Sequence, residues 1–150
     1  MVLRVLGGDL KEVVFQGAID PHTPVGQSWL RASHRKLDKR LSTPYRPYHS
    51  HDKIEPLKRG EVVELDIEIW PTSIVVPRGY RLALTVRGND YEVDGTDAAP
   101  AHAPYTMKGV GPFTHTNPQD RPPAIFGGTN TLHFAPDRAP YLLLPIIPPG

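Results

Sequence analysis

The chain is expected to be all-β, a β-sandwich, and three observations carry that expectation. The first is strict alternation: Val63, Leu65, Ile67 and Ile69 interleave with Glu64, Asp66 and Glu68, the period of a strand with one buried and one wet face. The second is composition, with 18 prolines and 13 glycines among 150 residues. They punctuate apolar runs rather than forming a tract, as rigid loops between short strands do. The third is that no stretch of 11 or more residues shows a helical period.

Taken in order, Val2-Leu3-Arg4-Val5-Leu6 and residues 12–16 are apolar runs joined across Gly7-Gly8-Asp9-Leu10-Lys11. Glycines at a reversal supply the positive φ that tight hairpins use, so a β-hairpin opens the chain. Asp20-Pro21-His22-Thr23-Pro24 is loop. Residues 29–35 suit a short strand or a helical turn, the strand being preferred. Residues 36–59 form a long polar connection interrupted by Pro44, Pro47 and Pro56, of a length that usually marks a functional or packing loop. A strand over 61–70 follows, ended by Pro71, which cannot donate to a ladder. Val76-Pro77-Arg78-Gly79 has the proline and glycine placement of a type I turn. It leads into Arg81-Leu82-Ala83-Leu84-Thr85-Val86-Arg87, a second alternating strand expected to bury Leu82, Leu84 and Val86 in the same core. Residues 89–123 are poor in aliphatics and read as a second long loop. Residues 129–134 and 141–147 return to strand character, with Leu142-Leu143-Leu144 apolar enough for burial on both faces.

Length and charge narrow the function. One domain is the prior at this size, able to bury roughly 70% of its unfolded surface. With 17 basic and 16 acidic residues the net charge is +1, too balanced to point to nucleic acid or an acidic membrane as partner. Cysteine is absent, which removes disulfides, thiolate metal sites and a cysteine nucleophile. The apolar opening stops at Gly7, far short of a signal-peptide core or a membrane span, and a cytoplasmic location is expected.

No catalytic set assembles from the residues. Gly26-Gln27-Ser28-Trp29-Leu30 begins like a nucleophile elbow but lacks the second glycine, and Trp29 is too bulky for that turn. Ser33-His34 and Ser50-His51 are neighbours whose side chains diverge in an extended chain. Only a cross-pairing such as Ser33 with His51 would bring a base to a nucleophile. His49-x-His51-Asp52 has the best metal-like spacing, since i and i+2 share a strand face. Loops of this kind more often use His and Asp on their own backbone, so no metal and no cofactor is expected. His22, His102, His115 and His133 are scattered. Trp29, Tyr45, Tyr48, Trp70, Tyr80, Tyr91 and Tyr105 are potential sugar-stacking platforms, but burial is the commoner fate of such rings. The loop Tyr45-Arg46-Pro47-Tyr48 is the exception, having the composition of a protein–protein surface.

Several segments taken together resemble one family. They are Trp29-Leu30-Arg31-Ala32-Ser33-His34-Arg35-Lys36-Leu37-Asp38, Ser42-Thr43-Pro44-Tyr45-Arg46-Pro47-Tyr48-His49 and residues 63–73 with the signature Asp66-Ile67-Glu68-Ile69-Trp70-Pro71-Thr72-Ser73. Pro77-Arg78-Gly79-Tyr80-Arg81-Leu82 and Tyr141-Leu142-Leu143-Leu144-Pro145-Ile146-Ile147-Pro148 complete the set. From about Val13 to Pro148 the chain resembles the C-terminal domain of the Xaa-Pro dipeptidyl-peptidase and cocaine-esterase family of serine hydrolases. The resemblance implies a jelly-roll β-sandwich of the galactose-binding-like type that packs against an α/β-hydrolase domain and helps shape its active site. Family members cleave esters, amides or X-Pro peptides with a Ser-Asp-His triad lying upstream of this domain. No catalytic, cofactor-binding or metal residue is therefore inherited here, and the chain alone is expected to be inactive. Set against that resemblance, this chain is expected to lack the hydrolase domain and to carry a jelly roll short at its N-terminus. The expected partners are that hydrolase domain or a second copy meeting it through an open sheet edge. The alternative is a stand-alone carbohydrate- or ligand-binding sandwich.

Overall fold

The computed structural model describes residues 1–15, 23–91, 115 and 117–148. The chain divides into two compact units, Met1–His115 and Thr116–Gly150. The first is built on a three-stranded antiparallel sheet. Its strands are β1 (Val2–Leu6), β2 (Gly26–Gln27) and β3 (Arg81–Thr85), in the order β2-β1-β3. Helix among the described residues is confined to a single 3-10 turn at Ala32–His34 and the four-residue α1 (Pro123–Phe126). The all-β class holds.

Strand β1 occupies the centre of the sheet, and its nearly continuous apolar run suits a strand covered on both faces. Val2, Leu3 and Val5 are all buried, and Val5 is 1% exposed. Leu3 pairs with Leu84 and Val5 with Leu82, so these four side chains share a face. The expected reversal after Leu6 is present. The Leu10 N–H donates to the Gly7 carbonyl at 2.9 Å, the Gly7 N–H to Lys11 O at 2.8 Å and the Val13 N–H to Val5 O at 2.9 Å. Leu10, at φ 64, takes the left-handed position rather than a glycine. The returning arm makes only an isolated bridge, Leu6 to Glu12.

Strand β3 forms where its alternation placed it, but the burial expected of it does not follow. Leu82, Leu84 and Val86 are 40%, 38% and 47% exposed. The reason is position: β3 is the outer strand of the sheet, and no second layer among the described residues covers its apolar face.

The long alternating segment departs further from expectation, since residues 61–77 carry no regular strand. Alternation specifies two faces but not a partner, and β2 offers only two residues beside it. One backbone bond joins them, from the Trp70 N–H to Gln27 O at 3.1 Å. The approach is close enough that a Cβ on Gly26 would sit 3.0 Å from Ile69 Cγ2. On the polar face Glu64 is exposed, while Glu68 Oε1 lies 3.7 Å from Arg46 Nε.

Two glycines bracket this segment. The Glu61 N–H donates to Lys58 O at 3.0 Å and the Tyr80 N–H to Pro77 O at 3.1 Å. Gly60 and Gly79 stand third in these turns, at φ 78 and 87. That is the φ pattern of a type II turn starting at Pro77, one residue later than the type I turn expected at Val76. Gly79→Ala is expected to cost about 1 kcal/mol, because a Cβ in this backbone region is strained although nothing crowds it. Thermal unfolding of the variant measures it, and an unchanged midpoint would mean the turn can rearrange.

Residues 29–35 form the 3-10 turn at Ala32–His34 in place of the preferred strand. Arg35 ties that turn to the next segment, donating to Ala32 O at 3.1 Å and Glu55 O at 2.5 Å. The connection over 36–59 is ordered by its own bonds. Leu37 bridges His49, the Asp38 N–H meets Tyr48 O at 2.8 Å, and Thr43 bridges Arg46. A small hairpin-like loop results, with Tyr45 75% exposed near its tip.

In the second unit the Gly127 N–H closes α1 onto Pro123 O at 2.8 Å, and Ala135 bridges Arg138. Residues 129–134 and 141–147 are not regular strands. Leu142 and Leu143, expected to be buried on both faces, are exposed, because no described neighbour supplies a ladder or a second layer. Most of the loop expected over 89–123 lies outside the described residues.

Candidate functional site

Two side-chain clusters in the first unit gather the chemistry-bearing residues. One centres on Asp90, which follows β3 through a short polar turn and is buried. Trp29 Nε1 donates to Asp90 Oδ1 at 2.7 Å, His115 Nδ1 lies 3.0 Å from the same oxygen, and the His115 backbone N–H donates to Oδ2. Burial alone pushes the Asp90 carboxyl up. The bonds from His115 and Trp29 outweigh it and hold the group below the usual carboxylate range. Trp29 also meets Trp70 edge-on at 5.2 Å between ring centroids. Adjacent in sequence, Tyr91 is buried, donates to Glu12 Oε2 at 2.6 Å, and has its pKa pushed up to about 12 by burial and that carboxylate. Arg4 donates to the same oxygen at 3.2 Å. These contacts fasten residues 90–91 to β1 and to the Trp29 segment.

The second cluster lines a shallow depression of 320 Å³ formed by Trp29, Leu30, Arg31, His34 and His51. His34 Nδ1 and His51 Nδ1 face each other at 3.2 Å. The His49 ring centroid is 6.0 Å from that of His51. Desolvation, followed by the neighbouring His51, pushes His49 below the ordinary imidazole value.

The candidate pairs from sequence are separated by this arrangement. Ser28 is buried, its N–H donating to Met1 O. Ser33 lies in the 3-10 turn and its carbonyl accepts from the Glu55 N–H. Ser50 Oγ donates to Asp52 Oδ1 at 2.5 Å. Asp52 also accepts from Lys36 Nζ at 2.7 Å, and these two bonds hold its carboxyl at about 2. The His49-x-His51-Asp52 spacing therefore does not converge. Among the described residues no group of three or more His, Cys, Asp or Glu side chains is placed to enclose a metal. His22, His102 and Tyr105 lie outside the described residues. Asp90 was missed because it sits in an unremarkable polar turn. The signal was Trp29, whose indole N–H needs an acceptor when its ring packs.

With the geometry in view, the comparisons with known proteins decide the family. Residues 6–143 match the family described as the X-Pro dipeptidyl-peptidase C-terminal non-catalytic domain. The chain belongs to that family. Two curated relatives, each named "Putative serine esterase", come from Mycobacterium bovis and Mycobacterium tuberculosis. Each is 33% identical over 85 residues, covering 51% of this chain and 13% of the relative. The chain thus aligns with a small fraction of the length of these relatives. No solved structure matches. Among the described residues no helix is long and apolar enough to cross a membrane.

Proposed function

We propose that this chain is the accessory jelly-roll module of a serine hydrolase acting on ester, amide or X-Pro bonds, and that it works by packing against the α/β-hydrolase domain. The observation that supports this most is the uncovered apolar face of β3. Leu82 and Leu84 lie on the face of Leu3 and Val5, yet each is more than a third exposed. Apolar surface left in water costs about 25 cal/mol per Å², which a covering domain would recover.

The competing ligand-binding reading drew on Trp29, Tyr45, Tyr48, Tyr91 and Tyr105. Of these Tyr91 is buried, Tyr45 and Tyr48 belong to the 36–50 hairpin, and Trp29 alone reaches the depression. These four rings do not make a stacking platform, and Tyr105 lies outside the described residues.

The test mixes the purified chain with a family hydrolase truncated before its own C-terminal domain. The chain alone is expected to hydrolyse neither esters nor X-Pro amides and to bind the truncated enzyme. Replacing both Leu82 and Leu84 with Asp should weaken that binding about tenfold or more, with circular dichroism confirming that the variant folds. Turnover by the chain alone, or binding indifferent to the double substitution, would contradict the proposal. A dimer built on the β3 edge would favour self-association instead.

A further inference from the structure

The facing imidazoles of His34 and His51 are not explained by a packing role. The two residues are 17 apart in sequence, one ending the 3-10 turn and the other following the 36–50 hairpin. Both open onto the 320 Å³ depression. His51 takes φ 52, a left-handed backbone that is uncommon for residues other than glycine and is often found at functional positions. The ring centroids of the pair lie 5.3 Å apart at 44° between planes, so the rings are not stacked. They meet nitrogen to nitrogen.

We propose that His34 and His51 form a two-imidazole site for a divalent transition-metal cation of the zinc or nickel class. Nδ1 of each ring is a ligand, and water fills the remaining positions. Imidazole nitrogen suits such cations. At zinc–nitrogen distances of about 2.0–2.1 Å, two nitrogens 3.2 Å apart subtend roughly 100° at the metal, near the tetrahedral angle. The open depression leaves room for the waters. Asp52 is not a ligand, being committed to Lys36 and Ser50. His49 stands behind His51 with its Nε2 buried and without a hydrogen-bond partner. The site differs from the His49, His51 and Asp52 set that spacing alone suggested, because the loop brings His34 to His51 and turns Asp52 away.

Calorimetric titration of the tag-free, metal-stripped chain with Zn²⁺ or Ni²⁺ tests the proposal. The expected result is one ion per chain, bound about tenfold or more weaker in His34→Ala or His51→Ala and within about threefold of the parent in His49→Ala. Should a variant misfold, ring-nitrogen NMR of the unmodified chain gives an independent reading. Zn²⁺ should move Nδ1 of two histidines to metal-bound positions and leave Nε2 protonated in both, the ring that carried the shared proton on Nδ1 having changed to its Nε2–H tautomer. No binding up to about 1 mM metal, binding indifferent to both substitutions, or coordination through Nε2 would overturn the site and leave an ordinary imidazole–imidazole hydrogen bond.

Discussion

Val5→Ala is expected to lower the stability of the first unit by about 2–3 kcal/mol, and Val5→Asp to prevent folding altogether. Removing two buried carbons forfeits roughly 0.8 kcal/mol each in transfer free energy, and the unfilled space adds to that. Val5 is where this should be felt most. It is 1% exposed, lies in the central strand, and faces Leu82 across the sheet. Its carbonyl accepts the Val13 N–H, so it also joins the turn to the sheet. The core is small, with Val2, Leu3, Val5 and Tyr91 its buried hydrophobic residues among those described, so neighbours have little freedom to fill a hole. An aspartate there would place an unpaired charge in that core, and such charges are tolerated only when compensated. Urea unfolding followed by tryptophan emission reads the effect, since Trp29 and Trp70 pack together beside β2. A loss for Val5→Ala below about 0.5 kcal/mol would show that the sheet is not the stabilising centre of this unit.

Local signals were legible in the sequence, and pairing was not. The turn at Gly7–Lys11, strand β1 and strand β3 follow from residues next to one another, and all three are present. The 61–70 segment has the best strand pattern in the chain and still forms no strand. A strand is defined by a neighbour, and its neighbour β2 is two residues long. Burial failed at β3 for the related reason that alternation marks which face is apolar, not what covers it. Leu142 and Leu143 show the same gap in the second unit. At the candidate sites the limit was separation along the chain. Trp29 and Asp90 are 61 residues apart and His34 and His51 are 17 apart, distances over which no spacing rule operates. What reached across those gaps was the family resemblance, which gave the domain type from segments no single one of which was decisive.

Asp90→Ala is expected to cost about 2–3 kcal/mol, and its pH dependence separates charge from packing. The substitution strands the Trp29 indole N–H and the His115 backbone N–H, each of which loses a partly buried acceptor worth about 1–3 kcal/mol. Asp90→Asn keeps one acceptor oxygen and should cost less. The sign of the pH effect follows from the direction of the shift. The folded carboxyl titrates below its unfolded value of about 3.9, because the bonds it accepts outweigh its desolvation. Its contribution is therefore present above about pH 4 and is lost as pH falls through the depressed folded value. Asp52 and Glu55 are shifted in the same direction, so acid destabilises every variant, and the informative quantity is the difference between parent and Asp90→Asn. That difference should shrink as pH drops from about 5 toward 2. Parallel stability curves over the interval would mean that Asp90 acts through its shape alone, and that its charge does not hold Trp29 and His115 together.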